Sequence, residues 1–167
     1  MQQTSQNHQC TMTLLMTPDM ANFSGNVHGG TILKLLDQAA YACASRYADT
    51  YVVTLSVDQV LFKQAIHVGE LVTFLASVNF VGSTSMEVGV KVIAESIPGK
   101  QRRHTNSSFF TMVAVDEARK PKKVPQLEPQ TADEKRRFEA GKLRKALRRE
   151  TAQRLNEIKR QCAPEQA

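Results

Sequence analysis

The chain has 167 residues, 41% of them hydrophobic and 23% charged, enough for one ordinary domain with an appendage. No run of 18 apolar residues occurs, so no membrane span is expected, and the polar opening MQQTSQNHQC lacks the apolar stretch of a secretory signal. Three widely spaced cysteines (Cys10, Cys43, Cys162) and four histidines without ligand spacing predict free thiols in a reduced, cytoplasmic setting and no metal site.

The net charge of +6 is unevenly placed. From Ala118 onward there are 15 Lys+Arg against 7 Asp+Glu, whereas residues 1–117 carry 7 against 9. A near-neutral body thus carries a basic tail. The tail has neither interleaved aromatics nor a helix-turn-helix pattern, so nucleic acid is not expected as a partner.

In chain order, residues 1–9 read as a flexible N-terminus. Thr11 to Thr17 is a first strand, stopped by Pro18-Asp19. A polar loop bearing Asn22 and Gly25 leads through His28-Gly29-Gly30 into a long helix. Its residues Ile32, Leu35, Leu36, Ala39, Ala40, Cys43 and Tyr47 recur at helical spacing. Asp37 stands in the middle of that face. An unpaired buried carboxylate costs several kcal/mol, roughly, so Asp37 is expected to be either paired or employed.

Tyr51 to Lys63 alternates, with Val53, Leu55 and Val57 expected on one face and Thr54, Ser56 and Asp58 on the other. Further strands are expected at Leu71–Val81, Ser85–Ile97 and Thr105–Val115, joined by turns at His67-Val68-Gly69-Glu70, Gly82-Ser83 and Pro98-Gly99. Short connections make these strands an antiparallel sheet, and the single oily helix must pack on one of its faces. Ala118 to Pro129 reads as a linker. Thr131 and Glu134 then form a capping box opening a basic helix to about Gln161, with a break expected at Gly141.

These elements place chemistry in one stretch. The N–H groups of Gly29 and Gly30, at a helix start, can stabilise an oxyanion, and Asp37 can act as general base or nucleophile. Asn22 can orient water or a carbonyl, while His28 is expected to shape the loop by hydrogen bonding rather than catalyse. Seven residues at about 1.5 Å each separate Asp37 from Gly30 by roughly 10 Å. One helix therefore cannot bring both to one reacting centre, which predicts composite sites in a dimer of antiparallel helices. His104, beside Arg102-Arg103, is a candidate for a phosphate.

The run NFSGNVHGGTILKLLDQAAY, followed by SVDQVLF, HVGE, GSTSMEV and NSSFFTMVAVD, resembles the hotdog-fold acyl-CoA thioesterases, in their YciA-like bacterial branch. The resemblance spans roughly residues 10–125. It implies an α+β hotdog domain at 10–125, an antiparallel sheet wrapped on the central helix; residues 126–167 lie outside the resemblance and read from their own pattern as a basic helical extension. It also implies hydrolysis of fatty acyl-CoA to fatty acid and CoA, with no cofactor beyond the CoA of the substrate. Domains pair edge to edge, and trimers of dimers are common among relatives. Asn22 and Asp37 are implied as the catalytic pair, contributed by different partners, and Ser83, Thr84 and Ser85 as a border of the CoA site. Arg103 and His104 complete the CoA-binding candidates, with Gly25 and His28 in support. Two other readings compete: a hotdog hydratase or dehydratase, whose His motif is absent here, and a non-catalytic acyl-CoA-binding module.

Overall fold

The computed structural model describes residues 8–161; residues 1–7 of the expected loose N-terminus, and Cys162, lie outside it. Seven main elements occur: β1 (Gln9–Leu15), α1 (Gly29–Ala48), β2 (Val52–Val57), β3 (Leu71–Val81), β4 (Ser85–Ser96), β5 (Gln101–Ala114) and α2 (Ala132–Gln161). They fall into two compact units divided after Leu127.

In the first unit the five strands form one antiparallel sheet in the order β1-β3-β4-β5-β2. The alternation in β4 sorts its side chains as expected: Met86, Val88, Val90, Val92 and Ala94 are all buried. Their neighbours across the ladders, Phe74 to Val92 and Val88 to Phe110, extend the same apolar face over β3 and β5. On that face lies α1, burying Ile32, Leu35, Leu36, Ala39, Ala40, Cys43, Ala44 and Ala48. Small residues in the second half of α1 allow close approach to the sheet. Leu36, fully buried, would cost about 2–5 kcal/mol on truncation to alanine. Cys43 behaves as a small hydrophobe: burial pushes its thiol up to about 12.

Four expectations are corrected. The first strand begins at Gln9 and stops at Leu15, two residues earlier at both ends. β2 ends at Val57 instead of continuing to Lys63, and its pairing with β5 shifts register between Thr54 and Ser56. This bulge leaves Leu55 without a place in the ladder and 68% exposed, so the simple two-face alternation fails there. β5 starts four residues early, at Gln101, because Gln101, Arg102 and Arg103 pair with Ser96, Glu95 and Ala94 despite their polarity. The supposed linker is partly built in: Lys122 and Val124 donate backbone N–H groups to Ala114 and Ser83, and Val124 is buried. The first unit closes at Leu127.

In the second unit, the capping box forms in full. The Thr131 hydroxyl accepts from the Glu134 N–H at 3.2 Å, and the Glu134 carboxylate accepts from the Thr131 N–H at 3.1 Å. The helix then runs 30 residues without the break expected at Gly141. One glycine costs only about 1 kcal/mol against alanine, too little to end a long helix. Leu143, Leu147, Leu155 and Ile158 form a narrow exposed stripe among charges.

Candidate active site

The loop before α1 is held by its own asparagine. Asn22 Oδ1 accepts the N–H groups of Ser24 at 2.9 Å and Asn26 at 3.1 Å, while the Asn22 N–H donates to the Asn26 carbonyl at 2.6 Å. Gly25 takes φ +78°, where a side chain would be strained. With Oδ1 spent on the loop, the Nδ2 amino group is the end of Asn22 left for a substrate, and it acts as a donor.

His28 caps α1. Its Nδ1 accepts the Gly30 N–H at 2.9 Å, and its carbonyl accepts from Thr31 at 2.9 Å. The ring therefore shapes the helix entrance and occupies one of the two glycine donors. His28 Nδ1 takes the Gly30 N–H and not that of Gly29, and the Phe62 ring borders Gly29. A Cβ at Gly30 would come within 3.2 Å of His28 Nδ1, so a side chain there would disturb the cap.

Asp37 lies at the flank of the buried stripe, half-buried, rather than in its middle as expected. The Thr54 hydroxyl donates to Asp37 Oδ1 at 2.7 Å, which fixes the carboxylate and leaves Oδ2 open. Leu33 and Tyr41, four residues to either side, are 38% and 39% exposed. Next to them runs β2, the edge of the sheet, with Val57 exposed as well. Tyr51 meets Tyr41 edge-to-face with centroids 6.1 Å apart. An open strand edge thus lies beside an exposed apolar face that carries one oriented carboxylate.

The remaining candidates do not converge. Thr84, in the β3–β4 turn, gives its carbonyl to Ala114, and Ser83 gives its own to Val124. His104 pairs across the ladder with Ile93, eight residues along β4 from Ser85, or about 26 Å at the usual strand rise. Ser83, Thr84 and Ser85 therefore cannot join Arg103 and His104 around one diphosphate within a chain. Arg103 is already engaged: its guanidinium meets the Glu70 carboxylate at 2.5 and 2.7 Å and the Ala65 carbonyl at 2.7 Å. That pairing holds the Glu70 carboxyl below its ordinary range. His104 Nε2 lies 2.8 Å from the Asn106 carbonyl and 2.9 Å from the Ser107 hydroxyl. Arg102, Arg103, His104, Lys91 and Ile93 line a shallow depression of about 330 Å³, but Arg102 is paired with Glu95 at 3.3 Å. No cluster of three metal-ligating side chains occurs among the described residues.

Sequence reasoning missed Thr54, taken only as the polar face of a strand. Its hydroxyl reaches Asp37 across 17 positions, and no local signal in the sequence marks that contact.

The family model of the thioesterase superfamily matches residues 24–99. Protein VdlD of Helicobacter pylori is 50% identical over 145 residues, 87% of this chain and 83% of that protein. The crystal structure of an apo-hexameric acyl-CoA thioesterase superposes with TM-score 0.84 at 41% identity, over 87% of this chain and 94% of the other. An acyl-CoA hydrolase of Staphylococcus aureus, solved with butyryl coenzyme A, coenzyme A and coenzyme A disulfide, gives TM-score 0.79 at 29% identity over 91% and 95%. Alanine variants of one asparagine, one aspartate and one threonine of that hydrolase have also been solved. Residues 1–127 are only 76% of the 167, so a 91% match reaches into the C-terminal segment, past the 10–125 span expected from sequence. With relatives at 41% and 50% identity spanned over most of their length, and the same sheet wrapped on the same helix, the chain belongs to the thioesterase superfamily, among its hotdog-fold acyl-CoA thioesterases.

Proposed function

We propose that this protein hydrolyses acyl-CoA thioesters to a carboxylic acid and CoA, in sites shared between two copies of the chain. The observation that carries this reading is the Asp37 carboxylate, oriented by Thr54 and set in an exposed apolar face beside an open strand edge. The S. aureus hydrolase supports the choice of residues. Its three substituted residues, an asparagine, an aspartate and a threonine, are spaced by 15 and then 17 positions. Asn22, Asp37 and Thr54 repeat that spacing.

In the proposed site, one copy supplies the Gly29 N–H and Asn22 Nδ2, and its partner supplies Asp37. Asp37 Oδ2 takes a proton from water as the water oxygen attacks the thioester carbon. The carbonyl oxygen becomes an oxyanion, held by the Gly29 N–H at the positive end of α1. Collapse of the tetrahedral species breaks the C–S bond, and the proton on Asp37 passes to the departing CoA thiolate. Direct attack by Asp37 would instead give a mixed anhydride. A single turnover in H₂¹⁸O tests the second route, because label in the Asp37 carboxylate requires an anhydride opened by water at the Asp37 carbonyl.

The assembly in this reading is a homodimer at minimum and a trimer of dimers in full, in line with the hexameric relative. Release of free thiol from a panel of acyl-CoAs tests the activity. Asp37→Ala should abolish it. Thr54→Val, which keeps the shape and removes the hydroxyl, should lower kcat about tenfold, the worth of one hydrogen bond to a charged group. Thr54→Ser should recover most of it. Full activity in Asp37→Ala would remove the basis of the proposal.

A further inference from the structure

A bidentate ion pair of the first unit, Arg103 with Glu70, lies outside the proposed catalytic set, yet its contacts lead to Asn22. Glu70 is 6% exposed and receives both terminal nitrogens of Arg103. Its Oε2 also accepts the His67 backbone N–H at 2.8 Å. Arg103 meanwhile donates to the Ala65 carbonyl, so one guanidinium and one carboxylate hold residues 65–70 from both ends. A bidentate arginine–carboxylate pair has a fixed geometry that a single contact lacks.

The segment so clamped is the one on which the Asn22 loop rests. His67 Nδ1 lies 2.8 Å from Asn26 Oδ1, an acceptor for the ring N–H of the Nδ1-protonated tautomer. Asn26 and His67 also form a backbone bridge, and the Val27 N–H donates to the Ile66 carbonyl at 2.8 Å. From Asn26 the path reaches Asn22 twice, through N–H to Oδ1 and through the carbonyl to the Asn22 N–H. Arg103 and Glu70 are 33 positions apart in sequence, and His67 and Asn26 are 41 apart. The two links that join separate segments are contacts made only by the fold.

We propose that Arg103, Glu70 and His67 are positioning residues that set the Asn22 loop, and with it the amide of Asn22 and the entrance of α1, for thioester hydrolysis. The inference rests on the reading of Asn22 as a substrate-facing donor. His67 is the member to test, because it is exposed and its replacement leaves the core intact. His67→Phe keeps the ring and removes the donor. His67→Asn puts an amide N–H close to where Nδ1–H stands.

Both variants of the full chain are compared with the parent for kcat and KM on one acyl-CoA, for Tm, and for amide hydrogen exchange over residues 21–28. His67→Phe should lower kcat about tenfold with KM within twofold and Tm within about 2 °C. It should also speed exchange at the Ser24 and Asn26 amides about tenfold, and His67→Asn should restore both. Parental kcat and exchange in His67→Phe would overturn the proposal. So would a loss that follows Tm, or one that asparagine does not rescue. If the parent protein fails to hydrolyse acyl-CoA, the thioesterase reading falls by itself, and the exchange rates still decide whether His67 sets the loop.

Discussion

The composite site leads to a complementation experiment whose size follows from the helix. Gly29 and Asp37 sit on the same continuous α1, eight residues apart, so about 12 Å of helix axis separates them. A tetrahedral carbon needs its oxyanion donor and its base within roughly 3 Å of the atoms they serve. No side-chain rotation of Asp37 closes that gap, since the Thr54 hydroxyl already holds its carboxylate at 2.7 Å. Asn22→Ala and Asp37→Ala homodimers should each be nearly inactive. Asp37→Ala loses one hydrogen bond to a charged group, worth roughly 1.5 kcal/mol, and relieves the partial burial of that charge, so any loss of stability should stay within about that amount. When the two variants are mixed and exchange subunits at random, half of the dimers are heterodimers. In each of these, one site has both defects and the other has neither. Activity should therefore recover to about a quarter of wild type. Thiol release from acyl-CoA reads the activity, and fluorescence transfer between labelled subunits reads the exchange. If exchange is complete and activity stays at the level of the parents, Asn22 and Asp37 serve the same site from one chain, and the helix-distance argument is wrong.

Other expectations concern stability and the thiols. The folded Glu70 carboxyl titrates below its ordinary value of 4.5, chiefly because Arg103 donates to it. Its contribution to stability is thus present above about pH 4.5 and lost as pH falls through the lowered folded value. Urea midpoints measured from pH 7 down to pH 3 should fall, and Glu70→Gln should lower the midpoint at pH 7 while flattening that slope; an unchanged slope would contradict the assignment. Cys43, its thiol pushed up to about 12 by burial, should stay silent to a thiol reagent in the native protein and react only on unfolding. Removing residues from Thr131 onward should leave a folded first unit, since that unit closes at Leu127. An insoluble or unfolded product would place α2 in the core.

The sequence by itself determined those features that depend on near neighbours along the chain. A run of β-branched and aromatic residues located β3 to the residue, and alternation sorted the buried side of β4, because the pleat turns every second side chain to one face. The three- and four-residue spacing located α1, and Thr131 with Glu134 located the start of α2. Asn22, His28 and Asp37 stood out as polar groups in a glycine-marked junction and an oily helix, so much of the candidate site was legible as well. The tertiary structure alone decided how they are held. A bulge at Leu55 is a property of the pairing between β2 and β5, and the period of β2 contains no trace of it. Thr54 to Asp37, His67 to Asn26 and Arg103 to Glu70 join positions 17, 41 and 33 apart. Arginines that looked available for a phosphate in the sequence are paired in the fold, for the same reason. A side chain's charge is written in the chain, whereas its partner is chosen by the strand register and by the loops packed against it.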